Sequence, residues 1–171
     1  MGIFNDRIPP LLKYIMKIEL NKTYLKEIEN FSFGDLTREE LTILFRDGRT
    51  TSRFMEKLAR KWFPELTNVD VKHYDHVDTE GNKFEMKGFT KSPKTGKGGC
   101  AFVPSSMLGK GRTIDLDELA EGISEHKLTY IITDIVNFPK VMVRFVNGKE
   151  LLKTYPNGKI KLNERESFFA S

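Results

Sequence analysis

The stretch VDVKHYDHVDTEGNKFEMKGFT, residues 69–90, decides the fold. It contains two runs that are rich in β-branched and aromatic residues, 69–77 and 83–89, and the Thr-Glu-Gly-Asn sequence between them is typical of a turn. Because alternate side chains of a strand point to the same face, Glu85 and Lys87 are expected to lie side by side. The stretch therefore predicts a β-hairpin that carries a carboxylate and an amine on one face.

The face to which Asp75 points depends on the length of the turn. A two-residue turn would pair Val77 with Phe84 and direct the Asp75 carboxylate toward apolar side chains. A three-residue turn with a glycine at positive φ, or a bulge, pairs Val77 with Glu85 and Asp75 with Lys87. We expect the odd-length turn, because it keeps both acids and the lysine together.

Two carboxylates beside a lysine are the groups that a divalent-metal hydrolase uses. Asp75 and Glu85 offer hard oxygen ligands to a cation that keeps several waters, as Mg2+ does. Lys87 can orient or help deprotonate a metal-bound water and stabilise charge on a phosphate. Asp70 and Asp78 are alternatives for the first ligand, and Asp75 is preferred.

The set formed by Asp75 and the Glu85-Met86-Lys87 tripeptide resembles the PD-(D/E)XK nuclease superfamily over residues 50–136. The proline of the motif's name is replaced by Tyr74. The resemblance implies an α/β fold with a mixed sheet flanked by helices, as in the restriction-endonuclease core. It also implies Mg2+-dependent hydrolysis of phosphodiester bonds in double-stranded DNA, with Mn2+ as a substitute, and an accessory metal ligand at Glu56 on the preceding helix.

Within that superfamily the chain is most similar to a small type II restriction endonuclease that cuts a short palindromic site. A junction-resolving or phage repair nuclease is one alternative. A non-catalytic nucleic-acid-binding module, in which Glu85 and Lys87 form the solvated face of a hairpin, is an alternative of another class. Branched and linear substrates distinguish the two nucleases, and metal-dependent nicking distinguishes both from the binding module.

The positive charge is concentrated just after the proposed acids. The formal net charge is only +4, yet residues 83–112 contain seven basic residues and a single acid. Such a concentration suits a surface that binds the phosphates of DNA, and the loops around it also carry small hydroxyl residues and glycines. The predicted DNA-binding residues are Lys91, Lys94, Lys97, Ser105, Ser106, Lys110 and Arg112.

The composition indicates one globular domain over residues 1–171, with 39% hydrophobic and 30% charged residues. No apolar run approaches a membrane span, and no P-loop is present, so neither a membrane nor a nucleotide cofactor is expected. The lone Cys100 forms no internal disulfide, which favours the reducing cytoplasm.

The rest of the chain is expected to comprise N-terminal helices (9–48), a catalytic core (about 50–146) and a C-terminal extension (147–171). Helical spacing predicts helices at 9–30, 51–63 and 115–126, and a Thr37/Glu40 capping box begins another that ends near 47. Apolar runs predict strands at 128–136 and 141–146, followed by a short helix or turn at 149–155 and a strand at 159–162.

A homodimer is expected, because each chain has one catalytic set and a duplex has two strands of opposite polarity. The candidate dimer surfaces are the N-terminal helix, with Tyr14, Ile18 and Tyr24 on its apolar face, and the pair Phe168-Phe169. The alternative is that these side chains cover the core of their own chain.

Overall fold

A computed structural model describes residues 17–45, 48–69, 71–92, 94–104 and 113–171. The strands are β1 (Thr23–Glu27), β2 (Thr67–Asn68), β3 (His76–Val77), β4 (Lys83–Lys91), β5 (Gly98–Ala101), β6 (Thr129–Asp134), β7 (Lys140–Asn147) and β8 (Lys159–Lys161). The helices are α1 (Arg38–Phe45), α2 (Gly48–Trp62), α3 (Leu116–His126), α4 (Gly148–Thr154) and α5 (Arg165–Ala170), and a 3-10 turn, Leu162–Glu164, leads into α5. Among these described helices, none is long and apolar enough to cross a bilayer.

The strands form one mixed sheet in the order β1-β7-β6-β4-β3-β2. β4 and β6 run parallel, and the other pairs are antiparallel. The far end of β4 also pairs with β5, which in turn pairs with β8. The predicted α/β class with a mixed sheet and flanking helices is confirmed, and β4 pairs with three strands, β3, β5 and β6.

The parallel β4–β6 pair requires a crossover connection, and α3 supplies it. α3 begins at Asp115, whose carboxylate accepts hydrogen bonds from the backbone N–H groups of Asp117 and Glu118. It ends at Lys127, which adopts a left-handed conformation with φ 50°. The strand that follows is buried along nearly its whole length, as its continuous apolar sequence predicts.

α2 covers the other face of the sheet with the amphipathic stripe that the sequence predicts. Met55, Ala59 and Phe63 are buried against Phe84 and Met86 of β4. Pro64 follows the helix directly. This packing fixes α2 beside the strand that carries the Glu-x-Lys pair.

The predicted helix at 9–30 is wrong where the structure can be described. Residues 9–16, with Tyr14, lie outside the described residues, but Thr23–Glu27 form β1, antiparallel to β7. Tyr24 is buried against Phe63 and Phe145, whereas Leu25 is 68% exposed. Pairing with β7 thus overrides a helical spacing that the sequence of this segment also satisfies.

The C-terminal residues 147–171 contribute a strand to the sheet and aromatic side chains to the core. β8 pairs with β5, and Phe168 and Phe169 are buried with Phe89 in the hydrophobic core. The Arg144 guanidinium donates a hydrogen bond to the Phe168 carbonyl and packs on its ring. The C-terminal residues and Tyr24 therefore pack in the chain's own core, and the prediction that they form a dimer surface is wrong.

Candidate active site

The hairpin that carries the acids has an odd-length loop, but its register differs from the predicted one. Val77 pairs with Lys83, not with Glu85, and residues 78–82 form the loop between them. The Asp78 carboxylate accepts hydrogen bonds from the backbone N–H groups of Glu80 and Asn82. The observed register is therefore shifted by two residues relative to the prediction, which leaves the faces unchanged because side chains alternate with period two.

Asp75 is held next to β4 by two hydrogen bonds. Its backbone N–H donates to the Phe84 carbonyl at 2.9 Å, and its carboxylate accepts from the Met86 N–H at 2.8 Å. The observed register, continued by one residue, sets Asp75 opposite Glu85 instead of Lys87. The incoming segment is otherwise irregular, since only His76 and Val77 form β3.

Glu85 and Lys87 form a largely buried ion pair. The Lys87 Nζ lies 2.6 Å from Glu85 Oε1, and the two side chains are 18% and 6% exposed, respectively. Burial raises the pKa of Glu85, the Lys87 charge opposes this shift and the Asp75 charge adds to it, and together they bring the pKa to about 7. Glu85 therefore exchanges its proton near neutral pH.

Asp75, Glu85 and Lys87 all line one open cleft with a volume of about 1090 Å3. Glu56 of α2 lines it as well, and burial together with the nearby Asp75 charge raises the pKa of Glu56. The cationic side chains that line this candidate catalytic cleft are Arg53, Lys72, Lys87, Lys91, Lys94 and Lys97. The cleft thus combines an acidic set with a surround of positive charge.

His76 connects α2 to the hairpin, and sequence reasoning did not identify it. Its Nε2 lies 3.0 Å from the Glu56 carbonyl oxygen, and the side chain is fully buried. Because a carbonyl only accepts, Nε2 carries the proton in this contact, and burial lowers the pKa of His76, which favours the neutral ring. No sequence pattern indicated this role, since the contact joins residues 20 positions apart.

Asp75 and Glu85 could hold a Mg2+ ion. Within the described ranges, no group of three or more His, Cys, Asp or Glu side chains is arranged to hold a metal, so Glu56 does not complete a three-ligand set. Two carboxylates nevertheless suit an ion that retains several waters. The Asp75 charge raises the pKa of both Glu56 and Glu85, and a divalent cation bound at the carboxylates would relieve this repulsion.

The other predicted residues have different placements. Lys91 at the end of β4 lines the cleft, as do Lys94 and Lys97 on the loop between β4 and β5. A hydrogen bond from the Ser92 N–H to the Lys97 carbonyl closes this loop. The Asp78 carboxylate accepts hydrogen bonds within its own turn, and Asp78 does not line the cleft. Asp70, Ser105, Ser106, Lys110 and Arg112 lie outside the described residues.

Comparisons of the chain with protein-family models, with curated proteins and with solved structures found no match.

Proposed function

We propose that this protein is a Mg2+-dependent endonuclease that hydrolyses phosphodiester bonds of double-stranded DNA, similar to a small type II restriction endonuclease of the PD-(D/E)XK superfamily. The observation that carries the proposal is the meeting of Asp75, Glu85 and Lys87 in a cleft lined by further cations. The element order α2, β3, β4, β5, α3, β6 agrees with the helix, hairpin, helix and buried strand that the resemblance implies.

The charges of the cleft suit a polyanionic substrate. Six cationic side chains line it against three acids, and phosphate contacts supply much of the affinity of proteins for DNA. Lys91 ends β4, and Lys94 and Lys97 lie on the loop that follows, so the three lysines can follow a phosphate backbone. Binding is thus assigned mainly to the end of β4 and this loop, and chemistry to Asp75 and the middle of β4.

The proposed ligands of the metal are Asp75 and Glu85, with Mn2+ as a substitute for Mg2+. When bound, the ion would polarise the scissile phosphate and lower the pKa of a coordinated water. Asp75 is oriented for such binding by the Met86 N–H, and Glu85 is ionised above about pH 7. The pair therefore becomes a better cation site as the pH rises through neutrality.

Lys87 is proposed to act on the water and the phosphate. Its ammonium can orient the attacking water and stabilise negative charge that develops on the phosphate oxygens. The ion pair with Glu85 keeps it in the cleft and restricts its rotamers before substrate arrives. A lysine that is 18% exposed loses little further solvation when DNA closes the cleft.

The burial of this pair argues against a module that only binds nucleic acid. A solvated hairpin face would leave both side chains largely exposed, whereas Glu85 is 6% exposed. Burying a charged pair is costly unless its geometry is good. A functional role for Glu85 and Lys87 would explain why the chain tolerates the cost of burying them.

Purified protein incubated with unmodified supercoiled plasmid tests the proposal. We expect nicked and linear DNA with Mg2+ and intact plasmid in EDTA, and no cleavage by Glu85→Gln or Lys87→Ala. Glu80→Gln, an exposed acid in the adjacent loop, is the matched control and should cut like the wild type. An intact plasmid and an intact four-way junction in Mg2+ and in Mn2+ would overturn the proposal, and cleavage of the junction alone would favour a resolving nuclease.

A further inference from the structure

A second groove adjoins the catalytic cleft through Lys97, which lines both. This flanking groove has a volume of about 520 Å3. It is lined by Gly96, Lys97, Gly98, Lys159, Leu162 and Asn163. The catalytic cleft thus continues around the 92–97 loop to the end of β8.

Strand pairing brings the residues of the flanking groove together. β8 pairs antiparallel with β5, which sets Lys159 opposite Ala101 and carries the chain on to Asn163. Gly98 has no room for a side chain, because a Cβ there would lie 1.8 Å from the Thr90 carbonyl oxygen. Glycine at position 98 is therefore required by the close approach of β4. Gly96, whose Cβ position is open, and Gly98 line the groove with backbone alone.

The chemistry of the flanking groove is that of a phosphate contact. Lys97 and Lys159 are exposed, and in the described part of the chain no acid lies within ion-pair distance of either. The nearby Glu164 carboxylate accepts from the Lys161 backbone N–H instead. Asn163 is exposed and adds an amide donor. Lysine, amide and backbone groups are the usual donors to DNA phosphates.

We propose that the DNA backbone leaves the catalytic cleft over Lys97 and enters the flanking groove, where Lys159 and Asn163 bind a phosphate next to the cleavage position. The proposal rests on the proposed function and extends it to the path of the substrate. Lys159 contributes charge, and Asn163 contributes a neutral hydrogen bond. Substitutions of the two residues should therefore affect the salt dependence of DNA binding differently.

Salt-dependent binding of a fluorescent duplex, measured without metal in a Glu85→Gln background, tests this path. Lys159→Gln should lower the slope of log K against log salt by about 0.9, the value for one lost phosphate contact. Asn163→Ala should weaken binding with an unchanged slope, because no counterion release is lost. Lys140→Gln, an exposed lysine at the start of β7, is the matched control and should change neither.

Steady-state cleavage with Glu85 restored gives an independent readout. Lys159→Gln should raise KM and leave kcat unchanged, since the contact lies away from the reacting phosphate. If Lys159→Gln has the same salt slope as the Glu85→Gln parent protein, the proposed path of the DNA is wrong and the proposed function is unaffected. Failure of the parent to bind any DNA would instead overturn both, and thermal unfolding of each variant checks that it is folded.

Discussion

Asp75 and Asp78 lie three residues apart, yet the structure gives their carboxylates different partners. Asp75 accepts from the Met86 N–H within the catalytic cleft, whereas Asp78 accepts from the backbone of its own turn. We expect Asp75→Asn to reduce plasmid cleavage by roughly 100-fold or more, the usual size of losing one preorganised electrostatic group. Asp78→Asn should keep most activity, because its amide oxygen can still accept the turn hydrogen bonds. The reverse ranking of the two nicking rates would assign the first metal ligand to Asp78.

The raised pKa of Glu85 predicts a pH-dependent stability. In the folded chain the Glu85 carboxyl group keeps its proton up to about pH 7. In the unfolded chain it keeps the proton only up to its ordinary pKa of 4.5. The resulting stabilisation is complete below the unfolded pKa and is lost as the pH rises through the folded pKa. We expect the free energy of unfolding of the wild type to fall relative to Glu85→Gln by roughly 3 kcal/mol between pH 4.5 and pH 8.

Urea unfolding of both proteins at the two pH values measures this difference. Other titrating groups are common to both chains and cancel in the comparison. A difference that does not change with pH would mean that Glu85 is ionised in the folded protein throughout this range.

At the scale of elements, the sequence predicts best where local pattern and tertiary packing agree. α2 and α3 have strong apolar stripes and clear end signals, and β6 has a continuous apolar run, so all three are found as predicted. The prediction for the β1 segment is wrong because its apolar residues fit a helix as well as a strand, and only pairing with β7 decides between them. α5 has no such pattern in its six residues, and its position depends on Phe168 and Phe169 filling the core.

The end of β4 and the loop that joins it to β5 should carry much of the electrostatic affinity for DNA. Replacing Lys91, Lys94 and Lys97 with glutamine should weaken binding to all sequences and reduce the salt slope by about 0.9 per lost phosphate contact. Salt titrations of binding measure this slope, and a variant with Lys140, Lys149 and Lys153 changed to glutamine is the matched control. These three lysines are exposed and line neither the catalytic cleft nor the flanking groove. Equal slopes for both triple variants would mean that the loop does not face DNA.

The C-terminal aromatic pair should stabilise the monomer. Phe169→Ala removes a buried ring that packs on Phe89 and Phe168, and we expect the free energy of unfolding to fall by about 3–5 kcal/mol. Phe33→Ala is the control, because its ring is 72% exposed and its loss should change stability by about 0.5 kcal/mol or less. Denaturant unfolding compares the two variants. If Phe169→Ala changes the free energy of unfolding only slightly but alters the oligomeric state, Phe169 lies on an intermolecular surface.

At the scale of the whole molecule, the candidate site divides into a part that spacing predicts and a part that only packing creates. Glu85 and Lys87 lie two residues apart on β4, so strand alternation is enough to bring them together, whereas the side on which Asp75 lies depends on the odd-length loop of the hairpin. Arg53 reaches the cleft from α2, which packs on the sheet, and no short-range pattern links it to the hairpin. His76 likewise contacts α2 only because the helix lies across its strand.

The homodimer remains a prediction, and it now needs a surface other than the one that the sequence suggested. Under the proposed function, one cleft per chain would hydrolyse one phosphodiester at a time, and the strands of a duplex present their bonds in opposite polarity. A two-fold axis sets an identical cleft on each strand and makes each chain read one half of a palindrome.

Sedimentation of Glu85→Gln with and without a duplex measures the stoichiometry without cleavage. We expect two chains per duplex that contains the cleavage site, and wild-type protein that converts supercoiled plasmid directly to linear DNA. Since Phe168, Phe169 and Tyr24 are buried in each chain, disrupting them should unfold the protein and not simply dissociate it. One chain per duplex, with nicked circles that accumulate before linear DNA, would instead indicate sequential cuts by a monomer, because a single cleft must leave one strand and rebind the other.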